Sequence, residues 1–377
     1  MKKRILLLCP HPEGVAPGQR LKYEQYFPHW EANGFEIVVS PFMTRRFWNI
    51  VYKPGRFLEK ALWTLWGYAK RIFDLARLPF YDGTYIFLWV TPFGTSLFER
   101  LARGLSRRLI YDIDDLVFLG RTSEANGFIA IFKGPAKMHY LMKAADHVIT
   151  CTPYLDQYVR KYNAKTTDIS STIDTAIYRP REDYRARGEL TLGWSGSHST
   201  SAYLMLLRDV LLELGKVLKF KLLVIGDPAF GMAGIQCEAL PWRLESEVAD
   251  LHRIDIGLYP LPDEQWVQGK SGLKALQYMA LGIPTVASAV GANFRVIDDG
   301  KAGFLAHDAE EWKDNILALA QDLALRETIG RAARERVVSL FSVTANQPVY
   351  LNLLQLVYGR PSPAESLGTH SAQRAGH

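Results

Sequence analysis

The stretch that decides the fold is residues 269–288, GKSGLKALQYMALGIPTVAS, in the second half of the chain. Its apolar residues have helical spacing over Gly272–Leu281, and Gly282 and Pro284 end that pattern because neither residue continues a helix readily. Pro284–Ser288 is then a short apolar run that predicts a buried strand. A helix followed at once by such a strand is typical of an α/β unit in a parallel sheet.

The same alternation extends through the rest of the second half, where apolar runs alternate with longer amphipathic segments. This rhythm predicts a parallel sheet built from βα units. The further predicted strands are Leu190–Ser195, Lys221–Ile225 and Asp255–Tyr259. The further predicted helices are Ser199–Leu218, Ala309–Asp322 and Leu325–Leu340.

The first half of the chain has the same rhythm and predicts a second parallel sheet. Gly34 stands where a helix C-terminal cap is expected, after the first predicted helix. The predicted strands are Arg4–Cys9, Phe35–Ser40, Gly83–Trp89, Arg108–Tyr111 and His147–Cys151. The predicted helices are Arg20–Asn33, Thr95–Ser106 and residues 131–145.

A charged stretch, residues 179–189, separates the two βα series and predicts a linker. The predicted fold class is therefore α/β, with two Rossmann-like, doubly wound parallel-sheet lobes that face a central cleft. Ligands of such sheets bind outside the carboxyl ends of the strands. The expected lobes are residues 1–182 and 187–342, with a helix at 343–358 that packs back on the first lobe and a disordered tail at 361–377.

The composition is that of a globular protein with a core, since 48% of the residues are hydrophobic and 22% are charged. The three cysteines are scattered and form no CxxC pair, so neither a disulfide framework nor a zinc site is predicted. No apolar run reaches the roughly 20 residues of a membrane span, and no secretory signal core follows the basic start. These features favour a cytoplasmic location.

The net charge of +6 is concentrated in one segment, residues 45–77, where eight basic residues accompany only Glu59 and Asp74. Apolar residues in this segment have helical spacing, and basic residues lie mostly opposite them. Two interpretations stay open: a helix in the plane of a membrane, through residues 45–80, or a helix packed on the first lobe with its basic face in water. No nucleic-acid-binding motif accompanies the charge, so no nucleic-acid partner is expected.

The loops after the strands of the first half carry candidate ligand-binding residues. Glycines in the loop 12–18 allow a ligand to approach the backbone, although an ordinary turn would also use them. Asp112, Asp114 and Asp115 repel one another unless a ligand or a base function uses them, although one of them could instead cap a helix. The candidates are Gly14, Gly18, Arg20, Asp112 and Asp115 for binding, and Asp114 and His11 for catalysis.

In the second half, the loop 193–200 and the start of the helix at 272 form a candidate diphosphate site. The loop offers hydroxyls, backbone N–H groups and a helix N-terminus, although it would also serve as a capping loop. Lys270 lies just before a helix, where the dipole disfavours a cation unless it faces a phosphate; the alternative is a solvated lysine. The candidates are Gly193, Ser195, Gly196, Ser197, Lys270, Ser271, Gly272, Leu273, Lys274 and Gln277.

One run resembles the carboxyl-lobe signature of retaining glycosyltransferases of family 4, which have the two-lobed GT-B fold. The matching residues are Met279, Ala280, Gly282, Pro284, Val286, Ala287 and Ser288, and the likeness extends to Gly193–Ser197, Gly291–Asn293 and Gly303–Leu305. The resemblance implies that the second lobe binds a nucleotide-diphosphate sugar and the first lobe binds a glycan or lipid-linked acceptor. It further implies transfer with retention and no tightly bound cofactor, and the variant is similar to a bacterial subgroup associated with surface polysaccharides.

The chain departs from this family at several positions. The family commonly has two glutamates eight residues apart, where this chain has Gly269 and Gln277. A neutral Gln277 is still able to hydrogen-bond ribose hydroxyls. The family's usual Arg and Lys after the first strand of this lobe are also absent, and Ser195–Thr200 stand there instead. The resemblance then implies that Lys270, with Lys274, carries the diphosphate charge, and we expect His11 to orient the acceptor or the donor. Two alternatives stay open: a sugar-nucleotide epimerase of the same fold, and an inactive binding or scaffold protein.

Overall fold

The computed structural model describes residues 2–51, 53–116, 135–186 and 188–361. Within these ranges the chain forms two parallel sheets of six strands each, one from each half of the chain. Helices connect most successive strands in both sheets, although the segment between Ile225 and Cys237 in the second sheet has none. The predicted α/β fold with two doubly wound sheets is confirmed.

The first sheet has the strand order β2-β1-β3-β4-β5-β6. Residues Ile5–Cys9 of β1 are all buried, as expected for a strand whose sheet is covered by helices on both faces. The strands are β1 (Lys3–Cys9), β2 (Phe35–Pro41), β3 (Gly83–Phe87), β4 (Leu109–Asp112), β5 (His147–Thr150) and β6 (Thr166–Asp168).

The helices of the first half lie between these strands. The predicted continuous helix Arg20–Asn33 is wrong: Glu24–Tyr26 is a 3₁₀ turn, and a new helix begins next to Pro28, which has no N–H to continue the previous turn. The helices are α1 (Pro17–Arg20), α2 (Phe27–Ala32), α3 (Arg45–Val51), α4 (Phe57–Arg77), α5 (Leu97–Leu105), α6 (Pro135–Ala144) and α7 (Pro153–Arg160).

The second sheet has the order β12-β11-β10-β7-β8-β9. Its strands are β7 (Leu190–Ser195), β8 (Phe220–Ile225), β9 (Cys237–Leu240), β10 (Ile256–Tyr259), β11 (Thr285–Ser288) and β12 (Phe304–Ala306). Its helices are α8 (Arg208–Leu214), α9 (Glu247–Leu251), α10 (Leu273–Ala280), α11 (Asn293–Val296), α12 (Ala309–Gln321) and α13 (Leu323–Arg336).

Each sheet grows in both directions from its first strand. In the first sheet β1 lies between β2 and β3, and in the second β7 lies between β8 and β10. Connections leave in opposite directions at these points and open a crevice at the carboxyl ends of the strands. The loop after β1 and the loops after β7 and β10 are therefore the places where the fold favours a ligand.

The last described helix, α14 (Val343–Tyr358), lies against the first sheet. Tyr350 is fully buried, with its ring 4.5 Å from that of Tyr26, and the Tyr358 hydroxyl donates to the carbonyl of Thr84 at 2.6 Å. The chain thus returns to the first half after it completes the second sheet. The predicted tail at 361–377 lies outside the described residues, apart from Pro361.

Helix α4 has an unusual orientation. Its buried residues are Gly67, Arg71, Asp74 and Leu75, while most of its large apolar side chains are exposed to solvent. The interpretation of α4 as a core-packed helix with a solvated basic face is therefore wrong. Within the described ranges, no helix combines the length and apolarity that are needed to cross a bilayer.

Candidate active site between the two sheets

Two polar side chains, the buried Gln19 and the half-buried Glu24, shape the loop that follows β1. The Gln19 amide accepts a hydrogen bond from the N–H of His11 at 2.9 Å and donates to its carbonyl at 3.0 Å. The Glu24 carboxylate accepts from the N–H of Gly14 at 2.9 Å, and Gly14 has a φ of +78°, which favours glycine. Neither Gln19 nor Glu24 is among the predicted site residues, because nothing in the local pattern distinguishes them. The loop has a fixed shape before any ligand binds.

His11 lies at the edge of this loop, packed against an aromatic ring. Its imidazole makes an edge contact with Trp48, with 4.8 Å between ring centroids. Burial lowers the pKa of His11 to about 4, so the ring is neutral at physiological pH. A neutral imidazole hydrogen-bonds a sugar hydroxyl without adding charge. Its proposed catalytic role stays a prediction.

The sequence predicts that Asp112 faces the cleft, but the structure buries it instead. Its carboxylate is fully buried, with Oδ1 2.7 Å from Nζ of the equally buried Lys22, and Oδ2 accepts a hydrogen bond from the Tyr85 hydroxyl. The end of β4 is covered by the segment that carries Lys22, which turns Asp112 into an interior ion pair. Asp112 therefore stabilises the first lobe from inside and is not placed to bind an acceptor.

Asp114 lies where the first lobe meets the loop after β1. Its Oδ2 would be 2.6 Å from a Cβ added to Gly18, so only glycine leaves room for the carboxylate at that position. Burial raises the pKa of Asp114 to about 7, although Lys22 opposes the shift. A carboxyl group with a pKa near the working pH is suited to accept or donate a proton. The structure thus brings together two predicted residues, Gly18 and Asp114.

Asp114→Asn is expected to make the protein more heat-resistant than wild type above pH 7, with a much smaller gain at pH 5. The folded-state pKa of about 7 exceeds the ordinary value of 3.8. Between these two pH values the folded wild-type chain keeps a proton that the unfolded chain has lost, so wild type loses stability as the pH rises from 3.8 to about 7. The gain at pH 8 amounts to at most roughly 4 kcal/mol. Thermal unfolding at pH 5 and pH 8 measures it.

Asp209→Asn is the matched control for this experiment, because the Asp209 side chain is 90% exposed. Its effect is expected to be small at both pH values. A gain from Asp114→Asn that is equal at pH 5 and pH 8 contradicts the assignment of a raised pKa to Asp114.

Asp115 and Lys270 join the two halves of the chain. Nζ of Lys270 is 2.5 Å from Oδ2 of Asp115 and 5.4 Å from the centroid of the Trp266 ring. Burial lowers the pKa of Lys270, but the Asp115 carboxylate outweighs it and the net pKa is raised, so the lysine is charged. A candidate donor-side cation and a candidate acceptor-side anion are thus direct partners at the carboxyl ends of the two sheets.

Gly269, which precedes Lys270, packs directly against the first lobe. A Cβ added there would lie 2.7 Å from Cγ and 2.8 Å from the backbone N of Leu116, and 3.0 Å from Oδ1 of Asp115. The structure therefore has no room for the glutamate that the family commonly places at this position. An acidic side chain from the opposite lobe, Asp115, stands beside that position instead.

The backbone N–H groups of residues 195–197 are not free, contrary to the prediction of an open diphosphate cradle. The Ser195 N–H donates to the Tyr278 hydroxyl at 2.6 Å, that of Gly196 to the carbonyl of Ile225 at 3.0 Å, and that of Ser197 to Oγ1 of Thr200 at 3.1 Å. Ser195 is buried, as is Gly193, whereas the hydroxyl of Ser197 is exposed. The groups of the loop 195–197 that remain accessible to a ligand are therefore exposed hydroxyls such as that of Ser197.

Gln277 belongs to a buried polar cluster with Glu247 at its centre. The Gln277 amide donates to Glu247 and to the Tyr178 hydroxyl, both at 3.0 Å, and Tyr178 donates to Glu247 at 2.7 Å. Arg20, from the first half, forms an ion pair with Glu247 at 2.7 Å. Glu247 lies in no motif, so the sequence did not reveal it, and Arg20 is used between the lobes instead of facing an acceptor.

Lys274 lies beside this cluster and donates to the Gln277 amide oxygen at 3.0 Å. Burial lowers the pKa of Lys274 to about 8, although Glu247 opposes the shift. The Lys274 ammonium is therefore still charged at neutral pH, but the surrounding negative charge does not fully offset the cost of its burial. A phosphate nearby would raise the pKa of Lys274 again. Lys274 and Gln277 are thus brought together as the sequence predicts.

The residues at the start of α10 complete the donor side. Gly272 has a φ of +74° and precedes the first turn, and a Cβ there would approach Val296 to 2.8 Å. Leu273 packs against the core, so only its backbone is near the helix terminus. The Ser271 hydroxyl is 2.8 Å from that of Ser171, which follows β6 of the first sheet. In the described part of the chain no cluster of three His, Cys, Asp or Glu residues is suited to hold a metal ion.

Part of the second half of the chain is similar to known sequences. Residues 189–322 match the family model described as Glycosyl transferases group 1. The chain is also similar to the D-inositol 3-phosphate glycosyltransferase of Arthrobacter sp., with 47% identity over 64 residues, which are 16% of this chain and 15% of that protein. The match thus spans only a small part of that relative.

Solved structures match nearly the whole chain. The sucrose-phosphate synthase of Thermosynechococcus elongatus has 16% identity and a TM-score of 0.65, over 94% of this chain and 99% of that one. HepE from Anabaena, solved in complex with UDP and glucose, has 16% identity and a TM-score of 0.62, over 93% and 99%. Residues 189–322 are therefore similar to the Glycosyl transferases group 1 family, within a chain that has the two-lobed fold of GT-B glycosyltransferases.

Proposed function

We propose that this protein is a glycosyltransferase. It moves a sugar from a nucleotide-diphosphate sugar to a glycan or lipid-linked acceptor with retention of configuration, in polysaccharide or glycolipid biosynthesis on the cytoplasmic side of a membrane. The observation that carries the proposal is the Lys270–Asp115 pair, which places a cation from the second sheet against a carboxylate from the first. The family match of residues 189–322 supports the same conclusion.

The donor would bind along α10 on the second lobe. Lys270 and the N-terminus of α10 offer positive charge to the diphosphate, and Lys274 adds a second cation nearby. Gln277 would hold the ribose through its amide oxygen, which here accepts from Lys274, while Glu247 fixes the amide nitrogen. The exposed hydroxyl of Ser197 lies at the end of β7, within the same crevice.

The chemistry follows from the charge that develops on the leaving group. The bond between the sugar's anomeric carbon and the diphosphate oxygen breaks, and negative charge grows on that oxygen. Lys270 stabilises this charge most in the transition state, which is how an enzyme raises turnover. The acceptor hydroxyl attacks from the same face, and Asp114, whose pKa of about 7 suits proton transfer, would take the released proton.

One alternative has a specific observation in its favour. Gly269 leaves no space for the glutamate common in the family, and Gln277 replaces the second one. Both departures would suit an inactive protein that keeps the fold for binding. Nucleotide-sugar binding with no sugar transfer would support this alternative.

A thermal-shift screen against nucleoside diphosphates and their sugars tests the function directly. The nucleoside diphosphate of one base, together with its sugars, is expected to raise the melting temperature by several degrees. A ligand at 100 times its Kd stabilises the folded state by about 2.7 kcal/mol. The nucleoside monophosphate of the same base is the matched control and is expected to shift the temperature less. Screening with and without Mg²⁺ measures any metal requirement.

The best donor is then incubated with candidate acceptors and the anomeric configuration of the product is measured by NMR. An α-linked product from an α-linked donor supports retention. A flat thermal screen, or inversion at the anomeric carbon, contradicts the proposed reaction.

A further inference from the structure

We propose that helices α4 and α5 form one docking surface for an anionic lipid bilayer, and that the protein works while seated on it. The inference rests on the proposed function for its purpose, which is access to a lipid-linked acceptor, but its evidence is independent of the active site. It enlarges the contact from the segment 45–80 to a surface of two helices.

The first observation is the exposure of the apolar stripe on α4. Leu58 is 84% exposed, Leu62 is 67% exposed and Phe73 is 62% exposed. Large apolar side chains that are exposed together mark an interaction site rather than ordinary surface. The exposed apolar residues of α4 and the turn after it are Phe57, Leu58, Leu62, Leu65, Trp66, Ile72, Phe73 and Phe80.

The second observation is that the opposite, polar side of α4 is fixed in the interior. The buried Arg71 guanidinium donates to the carbonyls of Cys9, Ser40 and Val90 at 2.8–2.9 Å and pairs with Asp74 at 2.8 Å. These bonds satisfy carbonyls near the ends of two strands and would be lost if α4 rotated. The helix therefore cannot turn its apolar stripe inward, and the stripe remains available to a partner.

Helix α5 continues the surface. Its leucines Leu97, Leu101 and Leu105 are four residues apart and 38–55% exposed, while Glu99 on another face is buried. The two helices are neighbours, with the ring of Tyr68 on α4 5.5 Å from that of Phe98 on α5. An apolar surface from two adjacent helices is broader than a single in-plane helix provides.

Charge decides which partner fits. Arg71 and Asp74 neutralise each other inside, so the net charge of the segment 45–77 comes from seven other basic residues against Glu59. None of these seven is buried, and Arg77 lies 5.2 Å from the Phe73 ring centroid. A second copy of the chain would bring the same positive charge and be repelled. Anionic headgroups above an acyl layer match both features.

The position of the surface relative to the candidate site agrees with this partner. Arg71 hydrogen-bonds the carbonyl of Cys9, two residues before His11 in the loop that borders the cleft. Arg45, at the start of α3, donates to the carbonyl of Glu13 in the same loop at 3.0 Å. The surface and the acceptor side of the cleft are thus joined through one loop, so a bilayer-held acceptor would be presented near it.

Flotation with lipid vesicles tests the proposal with the full-length protein. Wild type is expected to float with vesicles of phosphatidylcholine and phosphatidylglycerol, and much less with phosphatidylcholine alone. Leu62→Glu with Phe73→Glu is expected to reduce the bound fraction at least about tenfold, because two inserted side chains become charged. Arg46→Gln with Lys53→Gln is expected to lower the bound fraction and to make it less sensitive to salt. Each substitution removes the attraction of one basic side chain to the anionic headgroups.

Val217→Glu with Leu356→Glu is the matched control, because these apolar residues are 71% and 75% exposed elsewhere. It is expected to float as wild type does. Failure of wild type to float with anionic vesicles overturns the proposal. A dimer in light scattering that Leu62→Glu with Phe73→Glu dissociates, without flotation, also overturns it and assigns the surface to self-association. Equal flotation of these variants and wild type shows that another part of the chain binds lipid.

The nucleotide thermal shift is measured on the same variants and is expected to stay unchanged. This readout separates the two ideas, because loss of flotation with intact nucleotide binding concerns the surface alone. Flotation without any nucleotide binding would keep the surface and remove the proposed reaction.

Discussion

Lys270→Ala is expected to lower the turnover number about 10²-fold with a smaller change in the donor KM. The lysine would lose its contact with the leaving diphosphate, and removal of one such charge-stabilising donor typically has this size of effect. A group that acts mainly in the transition state changes the turnover number more than ground-state binding. Steady-state kinetics with the donor identified by the thermal screen measures both parameters.

Two controls separate catalysis from structure. Asp115→Asn breaks the same ion pair, whose atoms are 2.5 Å apart, but leaves the cation in place. If Lys270 acts only by joining the lobes, the two substitutions have equal effects and the double mutant adds nothing. If Lys270 faces the diphosphate, Lys270→Ala costs far more than Asp115→Asn. Lys301→Ala, at an exposed position of the same lobe, is expected to be active.

Lys22→Met is expected to destabilise the protein by roughly 3–5 kcal/mol, since it leaves the Asp112 carboxylate buried without its partner. Both side chains are 0% exposed, so water cannot replace the lysine. The Tyr85 hydroxyl still donates to the carboxylate but carries no compensating charge. Calorimetric thermal unfolding measures the loss, with the unfolding of the first lobe followed separately if the two lobes melt apart.

Lys216→Met is the control, because the Lys216–Glu213 pair is 66% and 59% exposed and contributes at most about 1 kcal/mol. The double substitution Lys22→Met with Asp112→Leu is expected to recover much of the stability, since the unpaired charge is gone. Lowering the pH is expected to reduce the deficit of Lys22→Met as Asp112 takes up a proton. A deficit that is no larger than that of Lys216→Met would falsify the interior role of this pair.

The two interlobe ion pairs have a consequence for ligand binding. Lys270 with Asp115 and Arg20 with Glu247 hold the candidate donor side against the first lobe. A diphosphate that binds Lys270 would compete with Asp115 for the same cation. Donor binding would thus release Asp115 toward the acceptor side, which agrees with its prediction as an acceptor-binding residue.

The sequence by itself determined the architecture. Apolar runs of strand length and helical periodicity are local properties, so β1, β7, β8 and β11 lie within about two residues of their predicted bounds. The stretch 269–288 specified a helix and a strand because glycine and proline end a helix wherever they occur. The position of Lys270 just before a helix N-terminus is also a local property, while its role at the diphosphate stays a prediction.

The tertiary structure decided which side chains meet. Lys270 and Asp115 are 155 residues apart and Arg20 and Glu247 are 227 apart, so no spacing rule connects them. Three carboxylates within four residues have different surroundings. Asp112 has an interior lysine, Asp114 lies beside Gly18, and Asp115 has a partner from the other lobe. The apolar stripe on α4 is visible in the sequence, but only the tertiary structure shows that it faces outward, with its apolar side chains exposed and Arg71 buried. Burial and ion pairing depend on which distant segments the fold brings together, and the local sequence pattern does not determine those contacts.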